Sequence, residues 1–562
     1  MKVLIVGGVA GGASVAARVR RIDEHAEIIM FEKGPHVSFS NCCLPYRLSN
    51  TIEEYDNLVL MNPEVFKKQY NINARVNQEV VKIDRESKTV TVKNLLTNEN
   101  YTETYDKLVL APGANAIVPP IKGIETADTF IVKNVVDITK LNEFITKNKC
   151  KKVTVIGGGF IGVETCENLV HAGYEVSLVE AEKQILRPFD YDMVQIFHKT
   201  MLDHGVNLVL SDKVVEFSGN NVKLESGKVI ESDAVVLAIG VKPDTKIATE
   251  AGIKVSERGA ILVDPNYVTS DKDIYAVGDA ILVYNALLNK YVHLPLAGPA
   301  QKEARQAANH MYGIRNVNTG FIGSSCIRVF DYNGASTGLT ERDCIQNNLS
   351  YDVVYVIPQD KVGLMPNNYP LHYKLIYEVP TGRVLGCQAI SKGEAAKRVD
   401  IVATLIKFGG TIYDLMDLEL CYAPPFSTAK DAGNHAGLVA SNLLSGSFKQ
   451  VRVDQVRELV ESGAYIIDVR EKDEYDLAHI KGAKNIPLSE IRNRLSEIPT
   501  DRPVYLHCRS SQRSYNACRC LIGNGFTNVY NIQGSFLGIS FYEYFNDVRL
   551  KRDPIVTDYN FN

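Results

Sequence analysis

The sequence has no apolar run that approaches the ~18 residues of a membrane-spanning helix. It also has no marked excess of one charge, because 62 Lys and Arg residues stand against 66 Asp and Glu residues and the net charge is −4. Such a balance gives no reason to expect nucleic acid or a membrane surface as a partner. The start, MKVLIVGG, lacks the longer apolar stretch and cleavage site of a secretory signal. We therefore expect a cytoplasmic protein that acts on small molecules.

A framework of disulfides is not expected either. The chain has 11 cysteines, which should be mostly reduced in a cytoplasmic protein. Cys518 and Cys520 form a C-x-C pattern on a predicted helix, where two thiols two residues apart face different sides. Since no second group of Cys or His lies nearby in the sequence, we predict no metal site.

The pattern of apolar residues divides the chain into several α/β parts. Residues 1–445 alternate β-branched apolar runs with helical patterns, which is typical of parallel sheets with crossover helices. From about Ser324 the pattern becomes strand-rich with two helices and predicts an α+β domain. Leu443–Gln450 is a plausible boundary, and after it a helix over Asp454–Ser462 opens a small α/β domain.

A complete G-x-G-x-x-G motif follows one predicted strand. It consists of Gly157, Gly159 and Gly162, and Glu180 ends the next strand eighteen residues later. Such a turn lets the backbone approach a pyrophosphate, which the helix N-terminus stabilises. The carboxylate would accept hydrogen bonds from ribose hydroxyls and repel a 2′-phosphate, so NADH is favoured over NADPH. The positive charge of Lys183 weakens the predicted preference for NADH.

A looser glycine motif lies at the start of the chain. Four glycines follow the strand KVLIV, with Val9 in the place of the middle glycine, and Glu32 ends the next strand. One such motif is a weak signal. Two in one chain, each with a strand, a helix and a terminal acid, predict two nucleotide sites.

Two further stretches, LVLAPGA (108–114) and DIYAVGDA (273–280), accompany these motifs. With them, residues 1 to about 445 resemble the pyridine nucleotide–disulfide oxidoreductase family. The resemblance implies FAD at the first motif, with Asp279 at the flavin ribityl chain, and NADH or NADPH at the second. The implied FAD-binding residues are Gly7, Gly8, Gly11, Gly12, Glu32, Lys33, Asn41, Ala111, Gly113 and Asp279. The implied NAD(P)H-binding residues are Gly157, Gly159, Ile161, Gly162, Glu180 and Gly240.

The segment HVSFSNCCLPYRLSN follows the first nucleotide unit. Its residues Ser38–Tyr46 are similar to the pattern S-F-x-N-C-G-L-P-Y of the coenzyme A-disulfide reductase branch. Resembling enzymes place this cysteine, here Cys42, at a helix start against the flavin, where amides and the helix dipole lower a thiol pKa. A second redox cysteine would stand five residues later, where this chain has Arg47. Disulfide reduction is thus expected to pass through a mixed disulfide with the substrate.

Two departures leave alternatives open. Cys43 replaces the glycine of the pattern, either as a tolerated replacement or as the partner in a strained Cys42–Cys43 disulfide. Related NADH oxidases and peroxidases carry a histidine in the first glycine loop, where this chain has Ala10, so we prefer a thiol substrate. An NADH oxidase or peroxidase, or a redox sensor, remain the rival hypotheses.

The resemblance also implies a homodimer through residues 325–445 and a site for coenzyme A. Of two tyrosines that resembling enzymes bring from the partner subunit, Tyr422 is retained and could protonate a leaving thiolate, whereas Leu364 replaces the other. The implied CoA-binding residues are Ser14, Arg18, Arg21, Ser38, Asn41, Lys67, Lys302 and Lys430. Arg18 and Arg21 lie three residues apart and hence on one helix face.

The C-terminal part, AYIIDVREKDEYDLAHIKGAKNIPL followed by VYLHCRSSQRS, looks like a single-domain rhodanese. Its loop would curl backbone N–H groups around the sulfur of Cys508 and stabilise a thiolate or persulfide. Asp468 and Arg470 are expected to buttress the loop, and His479 to be structural. An inactive domain used for docking is the alternative. The loop residues are Arg509, Ser510, Ser511, Gln512, Arg513 and Ser514.

The whole chain thus resembles the coenzyme A-disulfide reductase–rhodanese fusions. The expected fold is α/β, with two Rossmann-like nucleotide-binding domains, an α+β dimerisation domain and a rhodanese-like α/β domain. The expected ranges are 1–112 with 245–322 for FAD, 113–244 for NAD(P)H, 323–445 for dimerisation and 450–562 for the rhodanese-like domain. The expected activity is NAD(P)H- and FAD-dependent reduction of CoA disulfide, CoA persulfide or polysulfide through Cys42. It would be coupled to sulfane-sulfur transfer by Cys508, with CoA as substrate, shuttle or tightly bound cofactor.

Overall fold

The computed structural model describes residues 1–561, and Asn562, the last residue of the expected rhodanese-like range, lies outside them. The chain forms two compact units. The first comprises Met1–Lys183 and Val209–Phe321, and the second comprises Gln184–Leu208 and the chain from Ile322 onward. The four domain ranges expected from the sequence stay predictions.

The strands are, in chain order, β1 Lys2–Val6, β2 Glu27–Glu32, β3 Asn73–Val76, β4 Gln78–Asp84, β5 Thr89–Asn94, β6 Asn100–Thr104, β7 Lys107–Leu110, β8 Ala114–Ala116, β9 Thr129–Phe130, β10 Lys152–Ile156, β11 Glu175–Glu180, β12 Asn207–Leu210, β13 Val214–Ser218, β14 Asn221–Leu224, β15 Val229–Ile230, β16 Ala234–Leu237, β17 Val241–Pro243, β18 Ile274–Ala276, β19 Val283–Asn285, β20 Lys290–Val292, β21 Ser324–Val329, β22 Tyr332–Gly338, β23 Tyr351–Val356, β24 His372–Glu378, β25 Val384–Ser391, β26 Lys449–Val451, β27 Tyr465–Asp468, β28 Lys484–Asn485, β29 Val504–His507 and β30 Val529–Ile532.

The α-helices are α1 Ala10–Ile22, α2 Pro63–Tyr70, α3 Val135–Lys147, α4 Phe160–His171, α5 Tyr191–Asp203, α6 Lys246–Glu250, α7 Ala297–Met311, α8 Glu341–Gln346, α9 Ala396–Lys407, α10 Ile412–Asp417, α11 Ala432–Leu444, α12 Val456–Glu461, α13 Lys472–Leu477, α14 Gln512–Gly523 and α15 Ser535–Leu550. The helix predicted over Asp454–Ser462 is a 3₁₀ turn, Val453–Gln455, followed by α12. Within residues 1–561, none of the helices is both long enough and apolar enough to cross a membrane.

Two five-stranded sheets carry the two glycine motifs. The first has the order β18-β7-β1-β2-β3, and its neighbouring strands are parallel. Leu4 of β1 pairs with Ile29 and Leu108, and all three are buried. The second sheet has the order β12-β11-β10-β16-β9. Central strands of parallel sheets are covered on both faces, which explains why KVLIV is apolar after its lysine and why KVTVI has only the buried Thr154 among apolar residues after its lysine.

The second unit contains a different pair of sheets. The antiparallel sheet β21-β22-β25-β24-β23 belongs to the expected α+β domain. The C-terminal sheet β26-β30-β29-β27-β28 is parallel, with β29 at its centre. Because β29 ends at His507, Cys508 lies directly at the carboxyl end of a central strand, where α/β proteins place their sites. The expected fold class is confirmed.

Candidate functional site

The first glycine loop is closely packed against its neighbours. A Cβ at Gly7, whose φ is +97°, would lie 2.0 Å from the carbonyl oxygen of Ala111, and one at Gly12 would lie 1.8 Å from the carbonyl oxygen of Gly7. These positions accept only glycine, because the clashes are with backbone atoms. The loop therefore presents bare backbone at the start of α1, as a pyrophosphate site requires.

Glu32 closes this loop from the end of β2. Its carboxylate accepts the N–H groups of Gly8 at 2.9 Å and Gly34 at 2.8 Å. A cavity of about 290 Å³ adjoins it, with Gly7, Glu32 and Lys33 in its lining. The ammonium of Lys33 lies 3.0 Å from the Asp244 carboxylate. A polar crevice at the carboxyl ends of β1 and β2 fits the adenosine end of a dinucleotide.

Asp279 is held in a 3₁₀ turn, Gly278–Ala280, by a buried partner that sequence reasoning missed. The Gly278 N–H donates to the carboxylate of Glu303 at 2.7 Å. Burial raises the pKa of Asp279, against His293 and Lys133, which lower it. Burial likewise raises the pKa of Glu303 to about 7, although the Gly278 amide opposes the rise. The site thus contains two carboxyl groups with raised pKa values.

The second glycine loop repeats the geometry of the first. A Cβ at Gly157 would lie 2.3 Å from the carbonyl oxygen of Ala238, and one at Gly162 would lie 1.9 Å from that of Gly157. Gly159 has no atom within 4 Å of its Cβ position, so its side faces open space. Glu180 accepts the Gly158 N–H at 2.7 Å. The open side of Gly159 fits the close approach of a pyrophosphate.

The remaining residues expected at the nucleotide sites lie in the turns around these loops. Gly113 and Gly240 have φ values of +73° and +115°, which glycine adopts without strain. Ile161, in the first turn of α4, is 39% exposed. Asn41 is exposed in a 3₁₀ turn, Asn41–Cys43.

The surroundings of Cys42 differ from the expectation. No α-helix starts at this cysteine, because Asn41–Cys43 and Pro45–Arg47 are short 3₁₀ turns. Partial burial of its sulfur, followed by the charge of Glu164, raises the pKa of Cys42. The expected lowering by a helix N-terminus is therefore wrong. Cys42 is solvent-exposed, and both it and Cys43 are free thiols.

The Cys42 loop is tied to α4, the helix that begins at the second glycine loop. The hydroxyl of Ser49 donates to the side-chain oxygen of Asn168 at 2.6 Å, and Asn168 is buried. Glu164 lies one turn earlier on the same helix. Burial, with Glu167 adding to it, raises the pKa of Glu164 to about 7. Sequence reasoning missed Glu164, although its place two residues after Gly162 was a usable signal.

The basic residues expected to bind CoA are only partly free. Both Nε and Nη2 of Arg18 donate to the side-chain oxygen of Asn309 on α7, at 2.9 and 2.7 Å. Burial, followed by the charges of Arg305 and Arg21, lowers the pKa of Arg18. α1 and α7 thus form one positively charged cluster, and Arg305 is a member that the sequence did not reveal.

The other candidates for CoA binding lie apart from this cluster or have neutral contacts. Lys67 donates to Asn71 at 2.8 Å within α2 and its C-cap. Ser38, with φ +48°, donates its backbone N–H to the Gly8 carbonyl at 2.8 Å, so it adjoins the first glycine loop. Ser14 is half-buried on α1, and Lys302 is exposed on α7.

Tyr422, Lys430 and Leu364 lie in the second unit. Tyr422 is 49% exposed and Leu364 is 94% exposed. Lys430 is also exposed. The hydroxyl of buried Ser427 donates to the carbonyl of Cys421, which fixes the backbone next to Tyr422. These side chains are accessible to a partner.

Cys508 is buried, with 1% of its surface exposed. The hydroxyls of Ser514 and Ser535 lie 3.6 and 4.0 Å from its Sγ. Within residues 1–561 these hydroxyls, rather than the expected backbone amides, are the hydrogen-bond donors that reach Sγ. Ser511 at φ +74° turns the loop into α14, whose first residue, Gln512, is exposed.

The two loop arginines differ in their partners. Arg513 makes a bidentate pair with Glu474, at 2.6 and 2.8 Å, so much of its charge is compensated. Burial lowers the pKa of Arg509, which Glu474 opposes. Ser510 and Arg509 are half-buried at the loop. Arg509 is therefore the more available cation beside Cys508.

Asp468 and Arg470 form a buried ion pair at the end of β27, which pairs with the strand β29 that leads into the Cys508 loop. Their expected role in buttressing the loop stays a prediction. Arg470 donates to the carboxylate of Asp468 at 2.6 Å and to the carbonyl of Ala478 at 2.6 Å. Burial raises the pKa of Asp468, but His507 and Arg470 outweigh it and hold the pKa below its usual range. His479 stacks on Tyr475 and bonds to its carbonyl, which is a structural role.

Comparison with known proteins shows which family this chain belongs to. The family model described as pyridine nucleotide-disulphide oxidoreductase matches residues 1–304. This chain belongs to the pyridine nucleotide-disulphide oxidoreductase family. The family's dimerisation domain matches residues 325–432, and a rhodanese-like domain matches residues 452–540.

Individual members of the family cover most or all of the chain. A coenzyme A disulfide reductase of Staphylococcus epidermidis is 33% identical over 442 residues, which are 78% of this chain and 99% of the relative. The reduced CoADR-RHD of Bacillus anthracis has a TM-score of 0.93 and 44% identity, and covers 96% of this chain and 98% of its own. An NAD-dependent persulfide reductase from A. fulgidus has a TM-score of 0.91 and 33% identity, and the match covers 95% of this chain and 99% of the reductase.

Proposed function

We propose that this protein is an NAD(P)H- and FAD-dependent reductase of CoA disulfide, CoA persulfide or polysulfide. In this proposal Cys42 is the redox thiol and Cys508 carries sulfane sulfur. The observation that carries it is the presence, in one chain, of an exposed thiol beside the nucleotide loops and a buried thiol surrounded by hydroxyls. The relatives that match nearly the full chain, a CoADR-RHD and a persulfide reductase, support the same chemistry.

The two glycine loops would hold the cofactors. The loop at Gly7 with Glu32 fits the adenosine end of FAD, and Asp279 would bind the ribityl chain. The loop at Gly157 with Glu180 would hold NAD(P)H, with NADH preferred. Bound FAD would supply the redox chemistry, by passing the electron pair of a hydride from NAD(P)H to the Cys42–substrate mixed disulfide, which would release the Cys42 thiolate and the second thiol product.

Cys42 would act as the nucleophile. Its thiolate attacks one sulfur of the substrate, the substrate S–S bond breaks, and a mixed disulfide forms while a thiolate leaves. Tyr422, supplied across the dimer, would protonate that leaving thiolate. Glu164, with a pKa of about 7, can hold a proton near Cys42 at neutral pH.

CoA would bind by its phosphates to cations near Cys42. Arg18, Arg21 and Arg305 form the cluster on α1 and α7, and Lys302 lies on the same α7. Arg305 joins the set that the sequence suggested. Clustered guanidinium groups bind phosphates by charge-assisted hydrogen bonds.

The working form would be a homodimer, because the family's dimerisation domain is present and large apolar side chains are exposed within it. These include Leu364, Phe408 and Phe426, at 94%, 83% and 69% exposure. Apolar exposure on that scale indicates a surface that a partner covers. Sedimentation should give twice the 62.3 kDa chain mass, and a monomer at micromolar concentration would contradict this.

Three variants test the roles of the two thiols. Cys42→Ser should abolish NADH oxidation with every sulfur acceptor. Cys508→Ser should abolish NADH-dependent polysulfide turnover but leave CoA-disulfide reduction intact, and Cys150→Ser is the control that changes neither. If Cys508→Ser reduces polysulfide at the wild-type rate, the two domains are not coupled. Rapid oxygen consumption without a sulfur acceptor would instead favour an NADH oxidase.

A further inference from the structure

The first turn of α15 forms a second wall of the Cys508 site, although it lies far along the chain. The N–H of Phe536 donates to the carbonyl of Cys508 at 3.0 Å, and the N–H of Leu537 donates to the carbonyl of Arg509 at 3.0 Å. Ser535, the first residue of the helix, is fully buried. Its side chain therefore faces the sulfur loop and not solvent.

The Ser535 hydroxyl contacts Cys508 at two atoms. It accepts the backbone N–H of Cys508 at 3.2 Å and lies 4.0 Å from Sγ, within reach of a hydrogen bond to sulfur. It is also 3.2 Å from the hydroxyl of Ser511 and 3.5 Å from that of Ser514. The hydroxyls of Ser514 and Ser535 thus reach the sulfur, and Ser535 also contacts the hydroxyl of Ser511.

The hydrogen atoms of this cluster can be arranged in only a few ways. A hydroxyl has one proton to donate and two lone pairs to accept. The proton of Ser535 can go to the carbonyl of Ile532 at 3.2 Å or to Cys508. Ser511 can donate to the same Ile532 carbonyl at 3.1 Å. That carbonyl therefore stays bonded when Ser535 turns its proton to the sulfur.

The backbone conformation of Ser535 is an independent indication that this residue has a role. Ser535 has φ +47°, in the left-handed region that disfavours a residue with a Cβ. The preceding Gly534 has φ +70°, and a Cβ there would lie 2.9 Å from the ring of Tyr355. Glycine at position 535 would adopt this turn without strain. The hydroxyl is therefore the one evident advantage of serine at this position.

We propose that Ser535 is a positioning residue for sulfur transfer at Cys508, donating its hydroxyl proton to the sulfur whenever that sulfur is negatively charged. The inference rests on the proposed role of Cys508. In the transfer, the Cys508 thiolate attacks the outer sulfur of a donor persulfide, R–S–SH. The donor S–S bond breaks, RS⁻ leaves with the electron pair, and Cys508–S–SH forms without net oxidation. The hydroxyl stabilises the thiolate before this step and the deprotonated persulfide after it.

The test uses the full-length holoenzyme and the variant Ser535→Gly. Glycine fits the positive φ, and this relief of strain should offset part of the loss of the bond that Ser535 accepts from the Cys508 N–H, so the variant should fold with an unfolding temperature near or somewhat below that of the wild type. Alkylation of Cys508 by iodoacetamide at pH 7 and sulfur transfer from glutathione persulfide to cyanide should each slow by about three- to tenfold, the effect of one lost hydrogen bond to a charged group. The pH profile of alkylation should move to higher pH, which a merely structural role would not cause.

Two more variants separate the hydroxyl from the backbone. Ser535→Ala keeps the strained turn and lacks the hydroxyl, so it should slow both reactions as much as glycine does. Ser540→Ala is the control, because Ser540 is equally buried on α15 and its hydroxyl accepts the N–H of Asn560. It should leave both rates unchanged.

Three results would overturn the proposal. One is a Ser535→Gly variant that reacts and transfers sulfur as the wild type does. Another is slowing in Ser535→Ala alone, which would assign the effect to the backbone. The third is a wild-type protein that takes up no sulfane sulfur on Cys508 by mass spectrometry. That last result would also overturn the proposed function, whereas the first two would leave it standing.

Discussion

At the scale of single residues, Glu164 is a carboxyl group that acts on the redox thiol and whose charge changes near neutral pH. Burial raises the pKa of this carboxyl to about 7, and its charge in turn raises the pKa of Cys42. The pH dependence of this effect on Cys42 follows from the charge of Glu164. Below pH 7 Glu164 is mostly neutral and has little effect, whereas above pH 7 it is negative and opposes formation of the thiolate.

Glu164→Gln should therefore make Cys42 more reactive above neutral pH. In the reduced holoenzyme, alkylation of Cys42 by iodoacetamide should be about threefold faster at pH 8, because loss of the nearby negative charge favours the thiolate. At pH 6 the variant and the wild type should agree within error. Equal rates at both pH values would contradict a charge effect, and Glu167→Gln, one turn away, would then be the next residue to test.

Glu303 should make stability depend on pH. Its pKa is about 7 in the folded protein and near 4.5 in an unfolded chain, so the folded state binds the proton more tightly. Stability is then highest below pH 4.5 with respect to this group, and it falls as pH rises to 7. Glu303→Gln, which can still accept the Gly278 N–H, should raise the free energy of unfolding at pH 8 by up to about 3 kcal/mol and change it little at pH 5. Urea titration at both pH values measures this, and an equal gain at both would contradict it.

At the scale of elements, two of the three glycines of the second motif, Gly159 and Gly162, act for different reasons. Gly162 allows α4 to approach the end of β10, since a Cβ there would collide with the carbonyl oxygen of Gly157. Gly159 meets nothing in the protein itself. The first is needed by the fold, and the second is explained by a ligand that approaches the backbone.

The two alanine variants should separate these roles. Gly159→Ala should fold like the wild type and raise the KM for NADH by about tenfold, roughly 1.4 kcal/mol. Gly162→Ala should instead lower the yield of folded protein, because a backbone collision of this size cannot relax locally. Steady-state kinetics and circular dichroism measure the two effects. A Gly159→Ala enzyme with an unchanged KM would argue against a pyrophosphate at this loop.

At the scale of the whole molecule, a buried ion network joins the domains of the second unit. The ammonium of Lys374, on β24, is fully buried among Asp190, Asp192 and Glu341, at 3.2, 2.7 and 2.5 Å. Burial lowers the pKa of Lys374, but the three carboxylates raise it well above its usual value. Arg452, from the C-terminal domain, also pairs with Glu341. An ammonium group already occupies the centre of this acidic cluster.

Lys374→Met should therefore destabilise the second unit strongly, because it leaves the buried carboxylate of Asp190 and the half-buried carboxylates of Asp192 and Glu341 without their central partner. We expect a loss of about 3–5 kcal/mol in the free energy of unfolding. Lys392→Met is the matched control, since Lys392 pairs with Asp331 at the surface, and it should cost about 1 kcal/mol or less. Denaturant titration followed by circular dichroism measures both, and equal losses would contradict the argument.

The sequence by itself determined the family, the fold class and the places of the two thiols. It did so because glycine at positions such as 7 and 157 is demanded by local backbone geometry, which a short motif records. The loop around Cys508 is recognisable for the same reason, since its residues are consecutive.

Only the tertiary structure decided what surrounds those motifs. Glu164, Arg305 and Ser535 reach their sites from helices that are distant in the sequence, so the motifs around the two thiols do not reveal them. The direction of the Cys42 pKa shift also came from tertiary packing, because burial and a neighbouring carboxyl raise this pKa, whereas the motif suggested that a helix N-terminus would lower it. Local backbone requirements are written in the sequence, whereas the charges and hydroxyls around a sulfur atom depend on which segments the fold brings together.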